Sequence, residues 1–156
     1  MLRFLTTVVL LLGLTSANAA TPCAPDKIDI RSSSSSVRFT TEVVDSPESR
    51  ALGLMNRESL GRFAGMLFVY PKPQPMRFWM RNTLIPLDMV FIDAQGVVQN
   101  VHENAIPLDE TTIFGGNDIQ YVFEINGGLA KTLGIAVGSE VRHPSISGAE
   151  VIWACD

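Results

Sequence analysis

The run MRFWMRNTLIPLDMVFIDAQGVVQNVHEN, residues 76–104, carries most of the information about the fold. From Met76 to Arg81 the residues alternate. Phe78 and Met80 project to one side of an extended chain, and Arg77, Trp79 and Arg81 to the other, the period of two that a strand imposes. Asn82-Thr83-Leu84-Ile85-Pro86 reads as a turn, with Pro86 driving Ile85 into extended geometry. Leu87 to Ile92 is a second strand, Asp93-Ala94-Gln95-Gly96 a hairpin loop, and Val97 to Asn104 its return arm.

Working outward, Val37 to Val44 reads as a strand. Ser46-Pro47-Glu48 opens a helix expected to run to about Asn56, with a capping hydroxyl, a first-turn proline and an early acid. Gly65 to Tyr70 is a short apolar strand, after which Pro71, Pro73 and Pro75 are expected to break regular structure. Pro107 to Asn117 reads as loop and Tyr121 to Ile125 as strand. A short helix over about Leu129 to Leu133 is closed by Gly134. Val137–Arg142 and Glu150–Ala154 are expected as late strands. Closely spaced strands with no run of βαβ units predict a compact antiparallel β-barrel or sandwich with one or two short peripheral helices, mainly β or formally α+β. Rossmann and TIM architectures are not expected, on the same ground.

A chain of 156 residues suggests one domain, placed at 37–156. Residues 21–36, with Pro22, Pro25 and the serines Ser32 to Ser36, read as a flexible linker. Residues 1–20 read as a signal peptide. Arg3 forms a basic start, Phe4 to Leu14 an apolar core, and Ala17-Asn18-Ala19 a small-x-small cleavage site, so cleavage is expected after Ala19 or Ala20. The apolar run is too short to span a bilayer, which takes about 20 residues. A periplasmic or secreted protein without stable membrane insertion is therefore expected. Of 12 basic and 16 acidic residues, only Arg3 lies in the first twenty, which leaves 11 against 16 and a net charge of −5. That argues against nucleic-acid binding, which needs a cationic face. In an oxidising compartment the two cysteines, Cys23 and Cys155, are expected to pair.

The familiar nucleophile, phosphate-loop, dinucleotide and zinc motifs are missing. His102 and His143 stand alone, so neither a metal nor a cofactor is expected. The informative residues are charges inside apolar strands, which are rarely buried without partners. Asp88 shares a strand face with Val90 and Ile92, Glu124 with Val122, and Arg81 with Trp79, while Arg50, Leu54 and Arg57 fall on one helical stripe. Three arrangements are open. Arg57 or Arg81 could pair with Asp88 or Glu124 in a structural network, since the guanidinium fork suits a carboxylate. The arginines could form a cationic pocket for an anionic ligand, walled by Trp79. Asp88 and Glu124 could form the acid/base pair of a hydrolase. Phe68, Phe78, Phe91 and Phe123 are expected in the core. Trp79 is either a ligand platform or packed under the Pro71–Pro75 stretch.

Several blocks resemble domain-of-unknown-function family 192. They are Arg50-Ala51-Leu52-Gly53-Leu54-Met55-Asn56-Arg57, Gly65-Met66-Leu67-Phe68, the long Phe78 to Asp88 segment, Tyr121 to Gly128, and the turn at Gly138-Ser139, where Ser139 replaces an expected acid. The likeness covers about residues 37–142. It implies a small β-rich fold, often exported in bacteria, with no established activity. It also implies that Arg57, Trp79, Arg81, Asn82, Thr83, Asp88 and Glu124 matter. Asn82 and Thr83 can bond the backbone of their own turn and so hold Arg81 near Asp88. The leading expectation is a non-enzymatic module that binds a small anionic ligand or a protein partner; the alternative is the Asp88/Glu124 hydrolase.

Overall fold

The computed structural model describes residues 22–155. Its elements are β1 (Lys27–Arg31), β2 (Ser36–Val44), α1 (Pro47–Leu52), β3 (Ala64–Phe78), β4 (Leu87–Ile92), β5 (Val98–Ala105), β6 (Ile113–Asn126), α2 (Leu129–Leu133) and β7 (Glu140–Arg142). The strands form one sheet in the order β5-β4-β6-β3-β2-β1-β7. The sheet curls until its ends meet. Val97 bridges Glu140, the N–H of Val98 donates to Ser139 O at 2.9 Å, and that of Val141 donates to Gly96 O at 2.8 Å. The result is a seven-stranded half-barrel with two short helices. No helix among the described residues is long and apolar enough to cross a membrane.

The sheet separates two apolar clusters. One gathers Ile28, Ile30, Phe39, Val90, Phe123, Ile125 and the α2 residues Leu129 and Ala130. The other gathers Leu54, Met66, Phe68, Met76, Met80, Met89, Phe91 and Val122. All of β4 is buried because both of its faces are covered. Phe68, Phe91 and Phe123 lie in these cores as expected, with Phe78 packed against the second. Between β3 and β6 the backbones approach closely at Gly65, where a Cβ would lie 2.5 Å from the Phe123 ring and 2.6 Å from the Glu124 carbonyl oxygen.

Several elements differ from expectation. The segment expected as a linker contains β1, which pairs with β2 and β7 and buries Ile28 and Ile30. The flanking prolines and serines hide a five-residue strand whose charged Asp29 is neutralised by Arg38 at 2.6 Å and Arg142 at 2.7 Å. The sheet is not wholly antiparallel, because β2 and β3 run parallel with α1 in the connection between them. The prolines do not end β3, which continues to Phe78 through register shifts after Val69. Pairing with β2 stops at Phe68, and Pro71, Pro73 and Pro75 are spaced by two, so their missing N–H groups fall along an edge that has no ladder to lose. Helix α1 has its Ser46 cap but ends at Leu52, before Gly53 at φ +49°. Strand β6 begins at Ile113, inside the expected loop, and β7 is confined to Glu140–Arg142. Residues 150–154 form no strand. They are held instead by the Ile152 N–H donating to Gln95 O, by the Arg31 and Arg142 guanidiniums at 4.3 and 4.6 Å from the Trp153 ring, and by the Cys23–Cys155 disulfide. The expected signal peptide lies outside the described residues.

Candidate functional site

Strand register decides which charged groups can meet. Paired residues of neighbouring strands share a face. Met89 pairs with Glu124, and Asp88 with Ile125. The two carboxylates therefore sit on opposite faces of the sheet and cannot act as one acid/base pair.

Asp88 is fully buried beside the first cluster. Its Oδ1 accepts the N–H groups of Asn104 and Gly128 at 2.8 Å each, and its Oδ2 accepts that of Ala130 at 2.8 Å. Gly128 is the N-cap of α2 and has no side chain to cap with. Asp88 supplies that function from β4, satisfying donors that a helix start leaves open.

Glu124 lies on the other face, within a row of paired residues across the sheet: Glu42, Met66, Glu124, Met89 and His102. Its immediate neighbours are thus two methionines. It is 5 % exposed, and its carboxyl has no hydrogen bond or ion pair among the described residues. Burial alone pushes its carboxyl from the ordinary 4.5 to about 8. No side-chain oxygen or nitrogen among the described residues is both sealed from solvent and unpartnered, so what remains accessible of Glu124 opens into the cleft it lines.

That cleft has a volume of about 170 Å³. One side is α1 and its exit turn, from Arg50 to Met55; another is Phe68 and Tyr70 of β3; the far end is Arg77, Phe78, Trp79, Arg81 and Thr83. The Arg50 guanidinium donates to the carbonyl oxygens of Asp45 and Val69, the latter at 2.8 Å, and stacks 4.7 Å from the Tyr70 ring. Burial and Glu124 raise the Tyr70 hydroxyl above its usual range against the opposing pull of Arg50. Trp79 is 46 % exposed and therefore not packed away under the proline stretch. Arg81 stacks 5.5 Å from its ring, and Arg77 stacks 5.1 Å from Phe114. Neither guanidinium has an ion-pair partner among the described residues.

Of the residues singled out from sequence, Arg50, Trp79, Arg81, Thr83 and Glu124 converge here, and Arg57, Asn82 and Asp88 do not. The helix stripe fails at Arg57 because α1 ends before it; its guanidinium instead holds Glu42, with Nη2 at 2.7 Å from Oε2. Asn82 occupies a left-handed turn position, φ +53°, where its carbonyl oxygen accepts the Asn56 N–H at 2.8 Å. Thr83 donates to the Arg81 carbonyl oxygen at 3.3 Å, a bond within its own turn. The network of Arg57 or Arg81 with Asp88 or Glu124, one of the three open arrangements, does not form among the described residues. Sequence reading missed Tyr70 and Arg77 as lining residues, although the alternation from Met76 to Arg81 already put Arg77 on the side of Trp79 and Arg81. No group of three or more His, Cys, Asp or Glu residues that could hold a metal occurs among the described residues.

The sign of the Glu124 shift makes a prediction. The folded chain binds a proton at this site between pH 4.5 and 8 that the unfolded chain has released, so stability falls as pH rises through that window. Glu124→Gln should match the parent near pH 4 and exceed it by a few kcal/mol at pH 9. Urea unfolding at the two pH values measures this; equal midpoints at pH 9 would contradict it.

Together these features define a small mainly β protein, a half-barrel with a cationic and aromatic cleft on a sheet face. A family model matches residues 28–143, and the chain belongs to domain-of-unknown-function family 192, described as Uncharacterized ACR. Among solved structures it is similar to a protein of unknown function from Novosphingobium aromaticivorans DSM 12444, with 38 % identity over 83 % of this chain and 97 % of that one and a TM-score of 0.72. It is also similar to a Sinorhizobium meliloti 1021 protein described as a "putative transcription regulator", with 34 % identity over 79 % and 96 % of the two chains and a TM-score of 0.73. No curated protein matches.

Proposed function

We propose that this protein is an exported, non-enzymatic module whose cleft captures a small anionic ligand, free or presented as an acidic group by a protein partner. One observation carries the reading: among the described residues, Arg77 and Arg81 have no acidic partners and line a cleft whose only carboxyl, Glu124, is neutral below about pH 8. An acid kept neutral by burial can donate a hydrogen bond to an anion instead of repelling it. Trp79 offers a rigid apolar wall beside the guanidiniums. The hydrolase alternative loses its premise, because Asp88 is consumed by three backbone donors on the other face. The overall acidity weighs against a nucleic-acid partner. Export is supported by the n-region, apolar core and cleavage pattern of the first twenty residues.

Both parts can be read on protein recovered from cells. The intact mass should correspond to a chain starting at Ala20 or Thr21; a mass retaining Met1 would refute export. A thermal-shift screen of small anions on this material should find stabilising compounds, and Arg81→Ala should reduce the shift by half or more. A screen in which no anion stabilises the protein would refute the binding reading.

A further inference from the structure

We propose that the ligand is a compact monocarboxylic acid with an apolar body, held between the cleft arginines with one proton shared between its carboxylate and the Glu124 carboxyl. The inference rests on the anion-capture reading and narrows it to a chemical class.

The cleft is not built for an inorganic anion. Its walls include Leu54, Phe68, Phe78 and Trp79, which offer a phosphate or sulfate ion nothing and offer an apolar body dispersion and burial. Helix α1 meets the cleft with its last turn, Arg50 to Leu52, the end that carries negative partial charge and disfavours a dianion. A guanidinium fork matches the two oxygens of a carboxylate. The volume of about 170 Å³ is below the roughly 300–1,000 Å³ of clefts that take drug-sized ligands, so the acid is short.

Glu124 sets the stoichiometry of charge. With methionines on both flanking strands it has no partner of its own to share its proton with. A ligand carboxylate lacks a proton and accepts one. The carboxyl O–H of Glu124 donates to the ligand oxygen, no bond is made or broken in the ligand, and the pair carries a single negative charge in a cleft that Arg77 and Arg81 also line. The other ionisable groups lining the cleft with Glu124 are Arg50 from α1, Tyr70 and Arg77 from β3 and Arg81 from the following turn. Glu42 on β2 and His102 on β5 share its row two strands away, and Glu42 is already neutralised by Arg57. Above about pH 8 Glu124 ionises in the free protein, so binding must then take up a proton from solvent and weakens with rising pH.

The test is calorimetric titration of the disulfide-intact protein with benzoate, benzamide, sulfate and phosphate at pH 7 and pH 9, for the wild type and Glu124→Gln. The expected result is that benzoate binds at pH 7, binds about tenfold more weakly at pH 9, and clearly outcompetes neutral benzamide. Glu124→Gln should bind benzoate several-fold more weakly at pH 7 and with the same Kd at pH 9. A wild-type Kd for benzoate that is equal at both pH values would overturn proton sharing. Sulfate or phosphate binding without benzoate binding would overturn the monocarboxylate class while leaving anion capture standing. Failure of every probe would overturn both.

Discussion

Asp88→Asn is expected to lower the stability of the folded protein by about 3–5 kcal/mol, the loss of a hydrogen bond to a charged group plus the desolvation of the donor left unpaired, without creating a cavity. The two side chains have nearly the same shape, so the effect is one of donors and acceptors. In the parent, three backbone N–H groups converge on the carboxylate from the end of β5 and the first turn of α2. An amide replaces one accepting oxygen with a donor, which then confronts an N–H inside the apolar cluster. A hydrogen bond to a charged group contributes about 1.5–3 kcal/mol, and leaving a buried donor unpaired costs its desolvation besides. The urea midpoint followed by tryptophan fluorescence is the measurement; an Asn variant as stable as the parent would show that the carboxylate does not hold α2 to the sheet. The same result bears on function, since loss of folding, with no separable loss of turnover, is what a capping carboxylate predicts.

Removing the disulfide, as Cys23→Ser with Cys155→Ser, should cost a comparable amount. The bridge spans 132 residues of sequence, with the Cα atoms 5.8 Å apart. On the chain-entropy model, closing so long a loop in the unfolded state stabilises the fold by about 5 kcal/mol. The cost should show as a lower unfolding midpoint both in the double variant and in the parent under reductant. If neither midpoint moves, residues 150–154 are secured by the Trp153 stack on Arg31 and Arg142 and by the Ile152 bond to Gln95 alone.

Much of this architecture was legible because it depends on local periodicity. Alternation from Met76 to Arg81 told the buried Met80 from the exposed Trp79, although the strand ends at Phe78 and Phe78 lines the same cleft as Trp79 and Arg81, and β4, its hairpin and β5 followed from an apolar run punctuated by Asp93 to Gly96. The long Phe78 to Asp88 block likewise pointed to the right family. What escaped depends on relations between segments. Alternation gives the faces of one strand but not its register against the next, so nothing in the sequence placed Asp88 and Glu124 on opposite sides of the sheet. Nor does a carboxylate in a strand disclose whether it will meet guanidiniums or backbone N–H groups; Asp88 met the latter. Strand β1 was obscured because its buried Asp29 reads as surface until Arg38 and Arg142 are seen around it. Arg57 left the expected stripe because one glycine, Gly53, ended the helix a turn early.

The cross-sheet row that contains Glu124 has a thermodynamic consequence. Its backbone is laddered to Met66 on one side and Met89 on the other, in the middle of the sheet, where the main chain cannot shift to carry the carboxyl out to water. The desolvation of this group is therefore settled when the protein folds, before any ligand arrives. A ligand that enters finds its hydrogen-bonding partner already oriented, so little ordering entropy is lost on capture. The preorganisation of the cleft is maintained at the expense of the unliganded state.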